Sequence, residues 1–413
     1  MHHRSQTSIT SPQGADRRRG VLPKRRAVLA AALAAGTGLA LTTPLLTGTA
    51  AAAPSTCLNG SLAYDHYSAE AGSSKPLVAQ WARNVNWELW GKTSPSGQPQ
   101  KLTTGMTNYS NGSFSACYQG TANLSEAYMR FSSSAGNLWR VVGAGTANAG
   151  EPNWKNTTQY AFNTATRTSP TGSVNLGTVK VPASMQRAFN IVDTLNELYW
   201  KRGTSSPCWT ANQTSLSTCD TLTFAWRQDG SSGGFWDHPS FPGDTSEGTD
   251  WAVLKGDEPD SKHLILHEAG HWFQWQLHGK KWPDVYDCSG HALHVGASTA
   301  CGWTEGFASA VAAYALGDSK YVFPNGAIYD LLDSNTTKSW DTGDKTESRV
   351  TAALLELWGP NGPDGGNWNK TLTLMNKYVS RDFRQYFTEH RPLVNLPTAG
   401  TARTIINRHT IIY

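Results

Sequence analysis

The sequence predicts an α+β chain in which an antiparallel β-sandwich is followed by a mostly helical domain. Three observations carry that expectation. Between Cys57 and about Gly177, apolar residues recur at every second position and turn formers interrupt them often. Beyond Pro182 the apolar spacing changes to three- and four-residue steps, as in helices packed by one face. Two strand-like runs, Leu222-Thr223-Phe224-Ala225-Trp226 and Trp251-Ala252-Val253-Leu254, stand among those helices, so the second domain mixes both element types.

Residues 1–53 are set apart from the fold. They carry Arg17, Arg18, Arg19, Lys24, Arg25 and Arg26, then an apolar stretch from Ala27 to about Leu46, then small residues from Ala50 to Ala53. That order reads as an export signal, with the mature chain starting near Ala52 or Ala53 outside the cell. Arg25-Arg26 followed by Ala27-Val28-Leu29 fits the twin-arginine type. Val28 stands where a bulkier apolar residue is commoner, so the general secretory route stays open. The Gly and Thr content makes the run weakly apolar for a membrane span, and no stable membrane insertion is expected once the signal is removed. This segment holds seven of the 35 Lys and Arg but only one of the 31 Asp and Glu, which leaves 28 basic against 30 acidic groups, a formal net of −2. No concentrated basic face remains for nucleic acid. Cys57, Cys117, Cys208, Cys219, Cys288 and Cys301 all follow the signal, and an even number in an exported chain favours three disulfides, with sequence-adjacent pairing expected.

The sandwich is assigned to residues 54–177. Val85, Trp87 and Leu89 alternate with Asn86, Glu88 and Trp90, and Ala127, Met129 and Phe131 alternate with Tyr128 and Arg130. Asn111-Gly112 between Tyr109 and Phe114 predicts a hairpin. Residues 155–180, rich in Asn, Thr, Ser and Gly, predict a linker or a pair of edge strands. The aromatic content of this domain suggests contact with carbohydrate or another cell-surface component, set against the commoner role of such residues as core.

The second domain is assigned to residues 178–413. Met185, Phe189, Val192, Leu195 and Leu198 predict a helix over 183–201. A Gly, Ser and Asp-rich loop spans 228–250. Asp260 or Ser261 predicts the cap of the next helix, which should end near His278-Gly279. Further helices are predicted at 304–316, 346–358, 367–379 and 382–390.

The chemistry concentrates in the second of these helices, where His267-Glu268-Ala269-Gly270-His271 sits in an apolar run. Positions i and i+4 share a helix face, so both imidazoles can reach one Zn²⁺ while Glu268 stands alongside as the general base for a metal-activated water. Three protein ligands would leave a fourth position open and bring the pKa of that water to about 7. Several residues compete for the third ligand. Glu305, in the first turn of the helix predicted at 304–316, is one; His291 and His294 in a loop between cysteines are others, although His-x-x-His in a loop reads rather as solvated or substrate-facing imidazoles. A metzincin would place glycine and histidine where this chain has Gln274 and Leu277. His278 is one position late and reads as a helix-end residue favoured by the macrodipole.

The pairing of His267-Glu268-Ala269-Gly270-His271 with Trp303-Thr304-Glu305-Gly306-Phe307-Ala308-Ser309, Glu305 lying 34 residues past His271, resembles the gluzincin-type zinc metallopeptidases over roughly residues 182–360. The resemblance implies a zincin-like fold, Zn²⁺ held by His267, His271 and Glu305, and peptide or protein substrates. The run from Val85 to Tyr118 resembles in pattern the transthyretin-like accessory sandwiches found beside some secreted peptidases. The chain departs from thermolysin-like enzymes in having Thr304 before Glu305 and no Asp until Asp318, which leaves a carboxylate partner for the histidines unassigned.

These readings converge on a secreted zinc peptidase. The alternatives are a zinc amidohydrolase acting on cell-wall peptides, and a catalytically inactive surface-binding protein that uses its Trp-rich sandwich. Oxyanion stabilisation falls to one of Tyr314, Tyr321, Tyr329, His291, His294 and Arg349, with Arg349 preferred. The acidic stretch from Asp330 to Asp344 does not match an EF-hand loop and reads as solvated rather than as a Ca²⁺ site.

Overall fold

The protein is seen in a computed structural model that describes residues 8–9, 55–146, 152–230, 233–238, 249–333 and 339–413. Apart from Ser8 and Ile9, the expected export signal and its processing point lie outside the described residues.

The chain begins as the expected sandwich. Strand β1 (Ser55–Tyr67) is the spine of one sheet. Its far half pairs antiparallel with β2 (Leu77–Trp81). The other sheet is built on β3 (Asn86–Lys92), flanked antiparallel by β4 (Gln100–Met106) and, further on, by β6 (Glu126–Ser132). Between them in sequence, β5 (Ser113–Gln119) returns to β1 and pairs with its near half. The period-two pattern works as read: Trp87, Leu89, Ala127, Met129 and Phe131 are buried in one core with Leu58, Leu62, Tyr64 and Phe114. Phe114 and Phe131 meet edge-on across the two sheets with centroids 5.1 Å apart. Each such side chain contributes on the order of 1.5–3 kcal/mol by burial.

The Asn111-Gly112 expectation needs correction, because β4 and β5 belong to different sheets and this turn is an arch between them. The main chain of the turn docks on β1, Leu62 donating to the Gly112 carbonyl at 2.9 Å, and that bond carries the chain across the sandwich. The aromatics of this region divide between core and surface, with Trp87 and Phe131 buried and Trp81 and Tyr109 exposed.

Strands β7 (Trp139–Thr146) and β8 (Pro152–Gln159) leave the sandwich and join the sheet of the second domain. The 155–180 region ends in the edge strand β9 (Gly172–Lys180), which pairs parallel with β1, the one parallel pairing within the sandwich sheets among the described residues. The second sheet runs β8-β7-β10-β12-β11, where β10 is Leu222–Arg227, β11 is Phe235–Trp236 and β12 is Ala252–Lys255. β10 is parallel to both its neighbours, and β11 closes the edge antiparallel to β12.

Helix α1 (Gln186–Lys201) ties the two parts together. Arg83 of the sandwich forks onto Asp193 at 2.7 and 2.9 Å and reaches Glu197 at 3.0 Å, and the Tyr64 hydroxyl donates to Asn190 at 3.0 Å. Arg187 in turn forks onto the buried Asp260 just ahead of α2 (Lys262–Leu277). Glu70, also from the sandwich, accepts a bond from the Lys262 amide at 2.5 Å, so the first turn of α2 is capped partly from outside its own domain. Ser261 supplies the local cap, accepting from the Leu264 amide at 3.1 Å.

α2 is buried along nearly its whole length, which explains why its apolar pattern is continuous rather than one-faced. It packs against α3 (Thr299–Leu316), and α3 against α4 (Glu347–Trp358). These approaches are close because glycine sits at each crossing. A Cβ on Gly270 would stand 2.9 Å from Ala308 Cα, and one on Gly306 would stand 2.7 Å from Val350 Cβ. α5 (Asn369–Met375) and α6 (Thr401–Arg408) complete the helical part. The helix predicted at 382–390 is a short α-turn at Phe383–Gln385 that widens into a π-turn over Tyr386–His390. The three disulfides, Cys57–Cys117, Cys208–Cys219 and Cys288–Cys301, follow the sequence-adjacent pairing. No helix among the described residues is long and apolar enough to cross a membrane.

Candidate metal centre

The i, i+4 spacing puts His267 and His271 on the face of α2 that looks at α3. Their Nε2 atoms are 3.2 Å apart. Glu305 Oε2 lies 3.2 Å from each of them, so the three atoms form a nearly equilateral triangle. Two donors held about 2.0–2.1 Å from one tetrahedral ion lie about 3.3 Å apart, and the observed edges have that length. All three side chains are buried. The donor set of two imidazoles and a carboxylate is the chemistry that suits zinc, so the residues fit the metal the sequence implied.

Glu305 is the seventh residue of α3, which starts five positions earlier than predicted because Ser298 caps it, accepting from the Cys301 amide at 3.1 Å. The first-turn placement is therefore corrected, and the macrodipole has little to do with this carboxylate. Burial acts to raise its pKa, but His291 and then His271 hold it well below the ordinary carboxylate range. Glu268 follows His267 on α2 and points into the same cleft, with neither carboxylate oxygen bonded to a protein group. Burial, then the charge of Glu305, pushes its carboxyl up.

The partner that the sequence left unassigned is a relay. His267 Nδ1 is 3.0 Å from Ser309 Oγ, and Ser309 donates onward to Glu347 Oε1 at 2.7 Å. Were Nε2 to bind a metal, Nδ1 would carry the proton and the hydroxyl would pass the polarisation to the carboxylate. Ser309 is one helical turn past Glu305 and shares its face, a signal that was available locally. Glu347 opens α4 and has no local signal. Burial raises the Glu347 carboxyl to about 7.

His291 is the clearest departure from expectation. Its loop is held by the Cys288–Cys301 disulfide, its Nδ1 bonds the Cys288 carbonyl at 2.8 Å, and its Nε2 lies 3.3 Å from Glu305 Oε2. It is not solvated, because its side chain is 3% exposed. Burial acts downward on its pKa, but the charges of Glu305 and Glu347 and its two bonds outweigh that and raise it to about 10. His294 instead stacks on Tyr329 and lies tilted against Trp340, with centroids 6.2 and 6.1 Å away. His278 is the C-cap of α2 as expected, but the macrodipole rationale fails, since burial lowers it to about 3 and keeps it neutral. Arg349 bonds the Asp341 carbonyl at 3.2 Å and faces Trp340, away from the cleft lining. Tyr314 stacks on Trp368, and Tyr321 is buried behind His267 with ring centroids 6.3 Å apart. In the acidic stretch, Asp341 accepts from the Gly296 amide and Asp344 from the Tyr413 hydroxyl, which explains both without an ion.

The cleft, counted with the solvent-open space at its mouth, measures about 370 Å³. Its far wall is aromatic. Trp236 of β11 and Trp282 approach to 4.9 Å, His238 stands 4.8 Å from Trp236, and Trp236 lies parallel to His271 at 6.4 Å. These residues were not anticipated, since Trp236 and His238 sit in what reads as a polar loop.

Residues 202–410 match the mycolysin C-terminal domain and residues 57–188 the mycolysin middle domain. No curated protein matches the chain. Two solved structures show weak similarity. One is a 9R-lipoxygenase from Cyanothece at 14% identity and a TM-score of 0.19, covering 41% of this chain and 25% of that one. The other is a putative carbohydrate-binding protein from Pseudomonas aeruginosa at 14% identity and a TM-score of 0.15, covering 30% of this chain and 90% of that one. The chain thus spans a quarter of the lipoxygenase's length, and neither likeness bears on function. The match to the C-terminal domain, which alone covers half of the chain, decides the matter: the chain belongs to the mycolysin family of secreted metallopeptidases.

Proposed function

We propose that this chain is a secreted zinc peptidase in which His267, His271 and Glu305 hold the metal and Glu268 is the general base. The observation that carries the reading is the 3.2 Å triangle of donor atoms beside a buried carboxylate that has no protein partner. When bound, zinc supplies Lewis acidity and makes water a nucleophile near neutral pH. The protein's own share is positional. The Ser309–Glu347 relay orients His267, Glu268 takes the proton of the attacking water and passes it to the leaving amine, and the Trp236–Trp282 wall limits solvent on the other side. Export depends on residues 1–53, with processing near Ala52 or Ala53, and N-terminal sequencing of secreted material tests that part.

The function is tested by incubating the purified chain with a peptide library and with cell-wall peptides, with and without chelator, and identifying products by mass spectrometry. Glu268→Gln should retain near-stoichiometric zinc while cleavage falls by about 10²–10⁴-fold. Undiminished cleavage by this variant sinks the mechanism. Cleavage confined to cell-wall peptides selects the amidohydrolase alternative. Bound zinc with no cleavage at all selects the inactive scaffold.

A further inference from the structure

We propose that, when the Cys288–Cys301 disulfide is open, Cys288, Cys301, His291 and Glu305 form a second zinc site that draws Glu305 away from His267 and His271, so that forming the disulfide switches the peptidase on. The proposal rests on the assignment of Glu305 to the catalytic metal.

The four residues bring one ligand atom each to within 4.8 Å of one another. Cys288 Sγ is 3.8 Å from Glu305 Oε1 and 3.8 Å from His291 Nδ1, and His291 Nε2 is 3.3 Å from Glu305 Oε2. With zinc bonds of about 2.3 Å to sulfur and about 2.0–2.1 Å to nitrogen or oxygen, a tetrahedral site has edges of about 3.5 Å between sulfur and nitrogen or oxygen, and about 3.3 Å between nitrogen and oxygen. Each residue gives an ion one atom, and these separations involve both nitrogens of His291 and both oxygens of Glu305, so they place the four donors side by side, within a small adjustment of such a site. What excludes an ion is the covalent bond, because a disulfide sulfur is not a thiolate.

Glu305 is the donor common to both groups. Its Oε2 faces the imidazoles of α2 and its Oε1 faces the Cys288 sulfur. The two metal groups differ in kind. His267, His271 and Glu305 leave a position open, whereas two thiolates, an imidazole and a carboxylate make a closed set of the type found in structural zinc sites. Thiolates also hold zinc more tightly than neutral donors, so in the reduced chain the shared carboxylate goes to the closed set. His291, which the peptidase reading leaves without a chemical task, acquires one.

Opening and closing are thiol–disulfide exchange. A Cys288 or Cys301 thiolate attacks a small disulfide such as oxidised glutathione and expels one thiolate from it. The second cysteine then attacks the mixed disulfide and expels the other. The two cysteines are oxidised by two electrons, the small disulfide is reduced to two thiols, and the zinc they held is released. Cys288 lines the cleft, which gives such reagents a path.

The test compares the full chain, oxidised and after treatment with a phosphine reductant that does not bind zinc, at equal added zinc or Co²⁺. In the reduced chain, metal per chain should stay at one, an intense near-ultraviolet thiolate-to-cobalt band should appear, and peptidase activity should fall. Oxidised glutathione should reverse the band and the loss of activity. Reduced chain alkylated with iodoacetamide should not show the band. A Cys288→Ser/Cys301→Ser variant should have the same activity with and without reductant. A reduced chain that binds one metal and shows no thiolate band overturns the proposal. So does loss of near-ultraviolet circular dichroism on reduction, since the site needs the folded arrangement. Failure of the peptidase reading looks different: the oxidised, zinc-loaded chain cleaves nothing, while the band still decides the thiolate site.

Discussion

The relay behind His267 yields the prediction that the structure constrains most. In Ser309→Ala the hydroxyl that accepts from His267 Nδ1 at 3.0 Å and donates to Glu347 at 2.7 Å disappears. Both partners are buried, His267 fully and Glu347 at 2% exposure, so water does not readily replace it. One lost hydrogen bond is worth about 1 kcal/mol, and each buried group left without a partner costs about 1–3 kcal/mol. With two groups orphaned, the metal-free protein should therefore lose about 2–6 kcal/mol of stability. Zinc should bind about 10–100-fold more weakly, as for other outer partners of a ligating imidazole. Affinity is measured by competition with a chromogenic chelator in Ser309→Ala, Glu347→Gln and the double variant. Because serine is the only link between the other two groups in this chain of contacts, the double variant should bind zinc about as well as the worse single one. Unchanged affinity in Ser309→Ala, or full additivity in the cycle, refutes the relay.

Three other outcomes follow from the same geometry. Glu305→Ala should lose zinc at micromolar concentrations while His291→Ala keeps it at one per chain, by mass spectrometry of the metal; the reverse would make His291 the third ligand. His66 and His278 are buried and held neutral, with folded values lowered from 6.5 to about 4 and about 3, so on acidification the unfolded chain takes up protons first. Their contribution to stability is complete above about pH 6.5 and is lost as pH falls toward 4 and 3, so the thermal midpoint should drop over that range and drop less in His278→Gln; an equal slope in the variant counts against it. Glu70→Ala removes the acceptor for the Lys262 amide, 2.5 Å away, and should destabilise the chain by about 1–3 kcal/mol in urea. A change below a few tenths would mean the cap from the sandwich is dispensable.

What could be read from the sequence was local. The α2 motif needs only helix periodicity to bring His267, Glu268 and His271 to one place, and the alternation in β3 and β6 needs only strand periodicity to choose the core face. The disulfides followed their sequence neighbours. The motif around Glu305 is legible in the sequence, but its position within α3 is not, because the Ser298 cap lies in a segment with no periodic signal. The arch at Asn111-Gly112 differs from the expected hairpin for a related reason: a turn dipeptide specifies a reversal, not which strand is met afterwards, and the bond from Leu62 to Gly112 ties this turn to β1. Glu347, His291, Trp236 and Trp282 reach the centre from α4, a stapled loop, an edge strand and a connecting loop. Only the tertiary structure decided their roles, because contacts such as Ser309 to Glu347, 38 residues apart, arise from helix packing across Gly306 and leave no period in the chain to detect.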